Sequence, residues 1–249
     1  MLNNLRSIQK IKQDIQWVLN APVHELDSDM LRFPEIAEIN IEEKDVKKLF
    51  NQRKLGYYYE GLIAIILKNS SYKIIHQSLQ IIKNGVTKGE ADFIIEDPTG
   101  KIIHLEVTCK FYMEYENEDG SVVFLGPDAR DSLTKKKERL MNHQLKIDLP
   151  IAVDRRCCLM QVVKFKNHID EIKNRWAYAD EINLQETLNW YYLPKLSWLS
   201  GLEGDSVECW EEEKKKILLS QKARQYAMME KGELVNRLLL VSRSWPLNT

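Results

Sequence analysis

The sequence is poor in the features that mark exported, disordered or highly charged proteins. Its 249 residues include 4 cysteines, 10 glycines and 7 prolines, and 36 Lys+Arg nearly balance 37 Asp+Glu. No Gly-, Ser- or Pro-rich tract interrupts it, which excludes collagen-like and disordered chains. The net charge of -1 excludes a polycation that coats nucleic acid or anionic lipid. Any basic surface must therefore be local.

Long apolar runs are also missing. The longest purely apolar run covers residues 62–67, far short of the ~20 residues that cross a bilayer. Arg6, Lys10, Lys12 and Asp14 interrupt the apolar pattern of the first 20 residues, so we expect no export signal. The cysteines form no Cys-x-x-Cys pair, which favours reduced thiols. We therefore predict a cytoplasmic protein that does not contact membranes.

What the sequence does contain is the periodicity of a single α/β domain. We divide it into an N-terminal helical extension (residues 1–54), a core (55–165) and a mostly helical C-terminal addition (166–249). Apolar residues at helical or alternating spacing predict the elements. Helices are predicted at 2–19, 42–68 (with an interruption at Gly56), 132–145, 169–182 and 211–231, and strands at 72–82, 90–95, 101–111 and 157–165. A long irregular connection is predicted at 21–40, and short apolar segments at 122–125 and 234–241.

A predicted hairpin brings two carboxylates together. Residues 96–100 read Glu-Asp-Pro-Thr-Gly, the order of a tight turn between two strands. Side chains alternate along a strand, so Glu106 and Lys110 share a polar face, and Asp92 lies on the matching face of the preceding strand.

This grouping indicates a metal site. Like charges opposed across a sheet destabilise it unless a cation neutralises them, and Mg²⁺ is held by one or two carboxylates, waters and substrate phosphates. Asp92 and Glu106 would hold the metal and Lys110 would offset developing negative charge, which suits metal-assisted hydrolysis of a phosphodiester. The alternative is an ordinary solvated polar face with a Glu–Lys pair.

Glu60 is a third acid in the same pattern. It lies in the middle of the most apolar helical surface of the chain, where an unpaired carboxylate is costly to bury. We predict that it completes the acidic set around the metal. The alternative is a boundary residue whose carboxylate reaches solvent.

A local basic stretch follows at residues 130–146. It carries six cations against two acids, a local charge of +4, which is typical of a phosphate-binding surface. Lys136, His143 and Gln144 are candidates to face the site. The alternatives are a solvated helix face and a structural histidine. The predicted nucleic-acid-binding residues are Arg130, Lys135, Lys136, Lys137, His143 and Gln144.

These blocks resemble the PD-(D/E)xK nuclease superfamily and, more closely, the bacterial family DUF1853. The resemblance rests on GYYYE at residues 56–60, TKGEADF at 87–93, HLEVTCKFY at 104–112, GPDARD at 126–131 and HQL at 143–145. It covers residues 56–145, with a weaker likeness at 193–199. It implies a restriction-endonuclease-like αβββαβ core with helical N- and C-terminal additions, and a Mg²⁺ or Mn²⁺ cofactor.

The lysine departs from the superfamily pattern. It usually follows the Glu by two residues, where this chain has Thr108, and Lys110 comes two residues later. Two strand residues add only ~6.6–6.8 Å and keep the same face, so Lys110 could still lean toward the metal. If it cannot reach, a lysine of the next helix could substitute, or the protein could bind nucleic acid without cutting it.

The resulting hypothesis is a metal-dependent nuclease that hydrolyses nucleic acid, with DNA as the expected form. Its catalytic residues would be Glu60, Asp92, Glu106 and Lys110. The alternatives are a catalytically silent module that binds nucleic acid or protein, and a hydrolase of another phosphorylated substrate. The oligomeric state is not indicated.

Overall fold

The computed structural model describes residues 2–24, 26, 31, 33, 36, 38–167, 174–182, 190–201, 204–220, 222–230 and 233–246. The chain divides into two compact units. The first unit consists of Met1–Cys109 and Lys136–Val162, and the second of Lys110–Lys135 and Val163–Thr249. The single domain with boundaries after residues 54 and 165 stays a prediction.

Three helices begin the first unit: α1 (Leu2–Asn20), α2 (Glu43–Phe50) and α3 (Leu55–Lys68). The predicted helix at 42–68 is interrupted, but at residues 51–54 and not at Gly56. Lys54 has extended backbone angles and starts α3, and Gly56 falls in the first turn, where it does not break the helix. Since α3 is apolar on nearly every side, most of its length is buried.

A buried polar triad joins α1 to α3. Lys10 and Asp14 form a salt bridge of 2.5 Å, one helical turn apart, and the Tyr58 hydroxyl donates to the same Asp14 oxygen at 2.6 Å. All three side chains are buried. Because a buried charge is tolerated only when it is paired, the triad fixes how α1 docks on α3.

The first sheet carries the candidate site. Its strands are β1 (Lys73–Lys83), β2 (Val86–Glu96), β3 (Ile102–Glu116), β4 (Val122–Leu125) and β5 (Arg155–Phe165), in the order β1-β2-β3-β4 with β5 also paired to β3. The predicted hairpin of β2 and β3 is confirmed, with Gly100 at a φ of +84° in its turn. Only glycine adopts this angle without strain.

The helix α4 (Leu133–Asn142) and a short 3₁₀ helix (Gln144–Lys146) connect β4 to β5. They occupy the predicted helix at 132–145. The chain tightens after Asn142, so that His143 and Gln144 leave the α-helical path.

The second unit corrects the predicted helical C-terminal addition. It contains a second sheet of β6 (Asn174–Tyr178), β7 (Trp190–Leu193), β8 (Asp205–Ser206), β9 (Arg224–Glu230) and β10 (Glu233–Val241), with the helix α5 (Trp210–Ser220). The described part of the predicted helix at 169–182 contains β6, and residues 168–173 lie outside the described part. The predicted helix at 211–231 stops at Ser220.

The reason is long-range strand pairing. β9 lies between β7 and β10, so both of its edges are hydrogen-bonded. Short apolar segments are ambiguous between helix and strand, and such pairing decides the outcome. The molecule is therefore a mixed α/β protein with two sheets. Within the described residues, no helix is both long and apolar enough to span a membrane.

Replacing Asp14 by Ala should destabilise the first unit strongly. The change removes the carboxylate that pairs with the buried Lys10 ammonium group and accepts from the Tyr58 hydroxyl, and loss of one partner of a buried pair costs about 3–5 kcal/mol. Urea unfolding should show this decrease in the free energy of unfolding. Lys12→Ala is the control, because Lys12 is exposed on the same helix and should change stability by less than ~0.5 kcal/mol. Equal effects of the two variants would contradict the role of the triad.

Candidate functional site

The candidate site begins where the regular pairing of β2 and β3 gives way to side-chain hydrogen bonds. The backbone register runs from Glu96↔Ile102 to Phe93↔Leu105. At the next position, the Val107 N–H donates to Asp92 Oδ2 at 2.8 Å, and the Asp92 N–H donates to Glu106 Oε1 at 3.4 Å. Each carboxylate thus accepts a hydrogen bond from the backbone of the opposite strand. The structure brings Asp92 and Glu106 together.

Glu106 is the most enclosed of these acids. It is only 1% exposed, its Oε1 atom is hydrogen-bonded to His104 Nε2 at 2.8 Å, and its Oε2 atom accepts from Gln144 Nε2 at 2.7 Å. The interpretation of this strand face as a solvated surface is wrong for His104 and Glu106, since both are buried.

Burial and repulsion raise the pKa of Asp92. Desolvation is the largest cause and the negative charge of Glu106 is the second. The hydrogen bond from Val107 and the positive charge of Lys136 act in the opposite direction. Burial and the neighbouring carboxylate therefore both favour the protonated form of Asp92, and such a shift is typical of sites that bind a cation or perform acid–base chemistry.

Glu60 approaches the same acids from α3. Burial raises its pKa to about 7, with further contributions from the charges of Glu90 and Glu106, while Lys48 and Lys136 oppose the shift. The side chain is half-buried. The charge of Glu106 thus raises the pKa of both Glu60 and Asp92, so the three predicted acids act on one another electrostatically.

Lys136 is linked to the candidate site by hydrogen bonds and by charge. Its Nζ atom donates to Gln144 Oε1 at 2.9 Å, and the Gln144 amide donates in turn to Glu106. Its charge also lowers the pKa values of both Asp92 and Glu60. The structure thus links α4 and the 3₁₀ helix to the carboxylates through Lys136 and Gln144.

Lys110 has a different partner. It belongs to the second unit, where its Nζ atom donates to Asp131 Oδ2 at 2.8 Å. The Tyr112 hydroxyl donates to the same Asp131 oxygen at 3.3 Å. A catalytic role for Lys110 stays a prediction, and this ion pair gives it a structural role.

The remaining predicted nucleic-acid-binding residues are distributed along the basic stretch. Arg130 and Lys135 are exposed, Lys137 is half-buried, and His143 is exposed after the end of α4. Contact of these residues with nucleic acid stays a prediction.

Sequence reasoning did not assign site roles to His104 and Glu90. Side chains alternate along a strand, so His104 and Glu106 share a face, and this two-residue spacing is the signal from which their hydrogen bond could have been predicted. The effect of Glu90 on Glu60 could not be read from the sequence, because it depends on how α3 packs on the first sheet.

The donor set is compatible with a hard cation, although it is not a closed cage. Among the residues described, no group of three or more His, Cys, Asp or Glu side chains has an arrangement that could by itself hold a metal ion. Asp92 and Glu106 supply carboxylate oxygens as a pair. Mg²⁺ commonly takes one or two carboxylates and completes its shell with water and phosphate.

The raised pKa of Glu60 predicts a pH-dependent stability. Without divalent cations, the folded state holds a proton on Glu60 that the unfolded chain releases between its ordinary pKa of 4.5 and about 7. The free energy of unfolding should therefore fall as the pH rises through this window. Glu60→Gln should make the decrease smaller, and the raised pKa of Asp92 should leave part of it. Urea unfolding at several pH values in EDTA measures the effect.

The matched control is Glu43→Gln. Glu43 is exposed, and its side-chain hydrogen bond and ion pair with Lys47 lower its pKa. The Glu43→Gln variant should show the same decrease in the free energy of unfolding above pH 4.5 as the wild type. An identical pH profile for wild type and Glu60→Gln would show that Glu60 titrates normally.

Comparison with known proteins shows which family the chain belongs to. No curated protein and no solved structure matches the chain. The model of the family described as "Domain of unknown function (DUF1853)" matches residues 3–153. This match extends beyond the motifs at residues 56–145 toward both ends and covers more than half of the sequence. It includes α2, α3, all of α1 except its first residue and the Asp92–Glu106 site, and the chain belongs to the DUF1853 family.

Proposed function

We propose that this protein is a metal-dependent nuclease whose site is formed by Asp92, Glu106 and Glu60. The observation that carries the proposal is the pair of carboxylates, Glu106 buried and Asp92 half-buried, at the point where β2 and β3 separate. Each is fixed by a backbone N–H of the opposite strand. Folding this pair without a cation costs free energy, because the two like charges repel each other. Such a cost is typical of functional sites.

The order of elements supports a restriction-endonuclease-like core within the PD-(D/E)xK superfamily. The chain runs through α3, β1, β2, β3, α4 and β5, with the short β4 before α4. This agrees with the αβββαβ order that the resemblance implies. Membership of that superfamily, and a bacterial source, are part of the proposal.

Asp92 and Glu106 would hold Mg²⁺ or Mn²⁺, and Glu60 would add negative charge beside them. The bound metal would polarise the phosphate and lower the pKa of a water molecule. The protein's own contribution is orientation. The Val107 N–H fixes Asp92, and the His104 and Gln144 side chains fix Glu106, so neither carboxylate has to reorganise when substrate binds.

Lys136 would take the role first assigned to Lys110. A lysine that offsets negative charge on a phosphate has to lie in the field of the metal-binding acids. Lys136 acts electrostatically on both Asp92 and Glu60, whereas Lys110 is paired with Asp131. The Gln144 side chain holds the Lys136 ammonium group near Glu106.

The nuclease proposal predicts that Asp92→Asn and Glu106→Gln lose cleavage. Both changes keep a hydrogen-bond acceptor and remove the charge that binds the metal, so the strands should stay together. We expect no Mg²⁺- or Mn²⁺-dependent product above background from DNA duplexes, single strands, branched DNA or RNA. Binding in EDTA should persist. Wild-type protein that binds but cleaves none of these substrates would instead support the catalytically silent module.

The position of the catalytic lysine gives a second prediction. Lys136→Ala should lower the turnover rate at least about 100-fold with little change in binding, as for a group that acts on charge developing in the transition state. Lys44→Ala, at an exposed position of α2, should have no effect. Turnover measured at saturating substrate distinguishes the two lysines. A large loss in Lys110→Ala with normal turnover in Lys136→Ala would contradict the assignment.

The basic stretch predicts salt-dependent binding. Neutralising Z phosphates gives a log–log slope of about -0.9Z on duplex DNA, so Lys135→Ala with Lys137→Ala should make the slope shallower by up to about 1.8. The control combines Lys44→Ala and Lys47→Ala, which remove two exposed lysines of α2. Titrations at several salt concentrations measure the slope, and no difference between the double variants would indicate an ordinary solvated helix face.

A further inference from the structure

The hairpin formed by β1 and β2 continues beyond the part of the sheet that β3 covers. The backbone register of β2 with β3 ends at Phe93, whereas its register with β1 continues from Ala91 to Val86. Within the described residues, the segment from Leu79 to Ala91 is therefore a two-stranded ribbon. We call residues 80–89 of this segment the ribbon tip.

The ribbon tip closes with a very tight turn. Asn84 and Gly85 have φ angles of 51° and 73°, and Lys83 pairs with Val86 across them. Two residues with positive φ form the turn type that matches the twist of paired strands. The tip is thus no wider than its two strands, which lie ~4.8 Å apart.

The surface of the ribbon tip is apolar and basic. Ile82 is 60% exposed and Val86 is 55% exposed. Lys83 and Lys88 are also exposed, and no acidic residue occurs in residues 80–89. Lys83 pairs with the exposed Asp148 at 2.6 Å. Such a surface pair is worth little, so the lysine can exchange it for a phosphate.

The base of the ribbon tip is anchored in the first unit. Ile81 is buried, and Gly89 lies so close to Ile147 that a Cβ at residue 89 would be 2.4 Å from the Ile147 Cδ1 atom. The Arg156 guanidinium fixes the Ile147 carbonyl at 2.8 Å. A ribbon held at its base pays little ordering entropy when it binds a partner.

We infer that the ribbon tip inserts into the major groove of double-stranded DNA. Apolar side chains flanked by lysines fit an anionic partner with apolar base edges, and the B-form major groove, ~12 Å wide, admits a two-stranded ribbon. The groove of A-form RNA that corresponds to it is too narrow. This inference rests on the proposed nuclease function for the choice of nucleic acid as partner, and it names duplex DNA as the substrate.

The position of the ribbon suits this role. β2 leads from the ribbon tip directly into Asp92, four residues after Lys88, a distance of about 13 Å along an extended strand. This distance is comparable with the width of the groove that the tip would occupy. A duplex held on the ribbon would therefore present a backbone phosphate near the Asp92–Glu106 pair.

The test measures binding to a 20-base-pair DNA duplex and to an RNA duplex of the same sequence, by fluorescence anisotropy in EDTA. Ile82→Ser with Val86→Ser should weaken DNA binding at least about 10-fold, because two apolar contacts are lost. The salt slope should not change, because these side chains release no counterions. RNA duplex binding should stay within about 2-fold of wild type.

The lysines of the ribbon tip, unlike its apolar residues, should affect the salt dependence of DNA binding. Lys83→Ala with Lys88→Ala should make the DNA salt slope shallower by about 1.8. Two controls match the chemistry elsewhere: Val122→Ser, at a position 54% exposed on β4, and Lys73→Ala, at the other end of β1. Neither control should change binding to DNA by more than about 2-fold.

Three results would overturn the inference. These are unchanged DNA affinity in the Ile82→Ser, Val86→Ser variant, equal losses of DNA and RNA affinity, and a change in sedimentation mass without a change in DNA binding, which would indicate contact between copies of the chain. Cleavage is not measured in these titrations. Ribbon-dependent DNA binding by a protein that cuts nothing would refute the nuclease proposal alone, and cleavage of DNA with ribbon-independent binding would refute only the ribbon.

Discussion

A carboxylate buried on a central strand has to be surrounded by donors, and the way Glu106 meets this requirement organises the candidate site. His104 Nε2, on the same strand, is hydrogen-bonded to its Oε1 atom, and Gln144 Nε2, after α4, donates to its Oε2 atom. The Asp92 N–H adds a longer hydrogen bond from β2. Hydrogen bonds thus connect the 3₁₀ helix and, through Gln144, Lys136 of α4 to the carboxyl group of one buried side chain. An ionised carboxylate buried without partners would cost several kcal/mol.

The same requirement explains why β2 and β3 separate. Side-chain carboxylates accept the N–H groups of Val107 and Asp92, so backbone donors are satisfied while the strands diverge. The divergence leaves β2 paired with β1 toward the turn, as a narrow ribbon that leads into the acidic site. The early end of the β2–β3 pairing thus has two consequences. The carboxylates lie close together, and the β1–β2 hairpin extends beyond β3. The repulsion among Asp92, Glu106 and Glu60 is a cost in stability that a functional site commonly carries.

Lys110 and Lys136 show that a sequence motif alone does not locate the lysine of the candidate site. Lys110 lies on the expected strand, but four residues after Glu106 amount to about 13 Å along the strand, and Asp131 offers it an ion pair. Lys136 lies on a helix that no strand spacing relates to the acids, yet its charge acts on Asp92 and Glu60. A charge requirement can be satisfied from any element that reaches the site, so the sequence position of the lysine is less constrained than its location in space.

The sequence by itself determined the order of elements from α1 to β5, the turn at residues 96–100 and the common face of Asp92 and Glu106, because these depend on local periodicity and turn chemistry. It could not determine the end of α5 at Ser220, since β9 is a strand only through its pairing with β7 and β10. It could not determine that the charge of Lys136 acts on Asp92 and Glu60. It also could not determine that Gln144 donates a hydrogen bond to Glu106, or that the charge of Glu90 raises the pKa of Glu60. Only the tertiary structure decided these, because they depend on how separate elements dock, and no spacing along the chain encodes a distance between them.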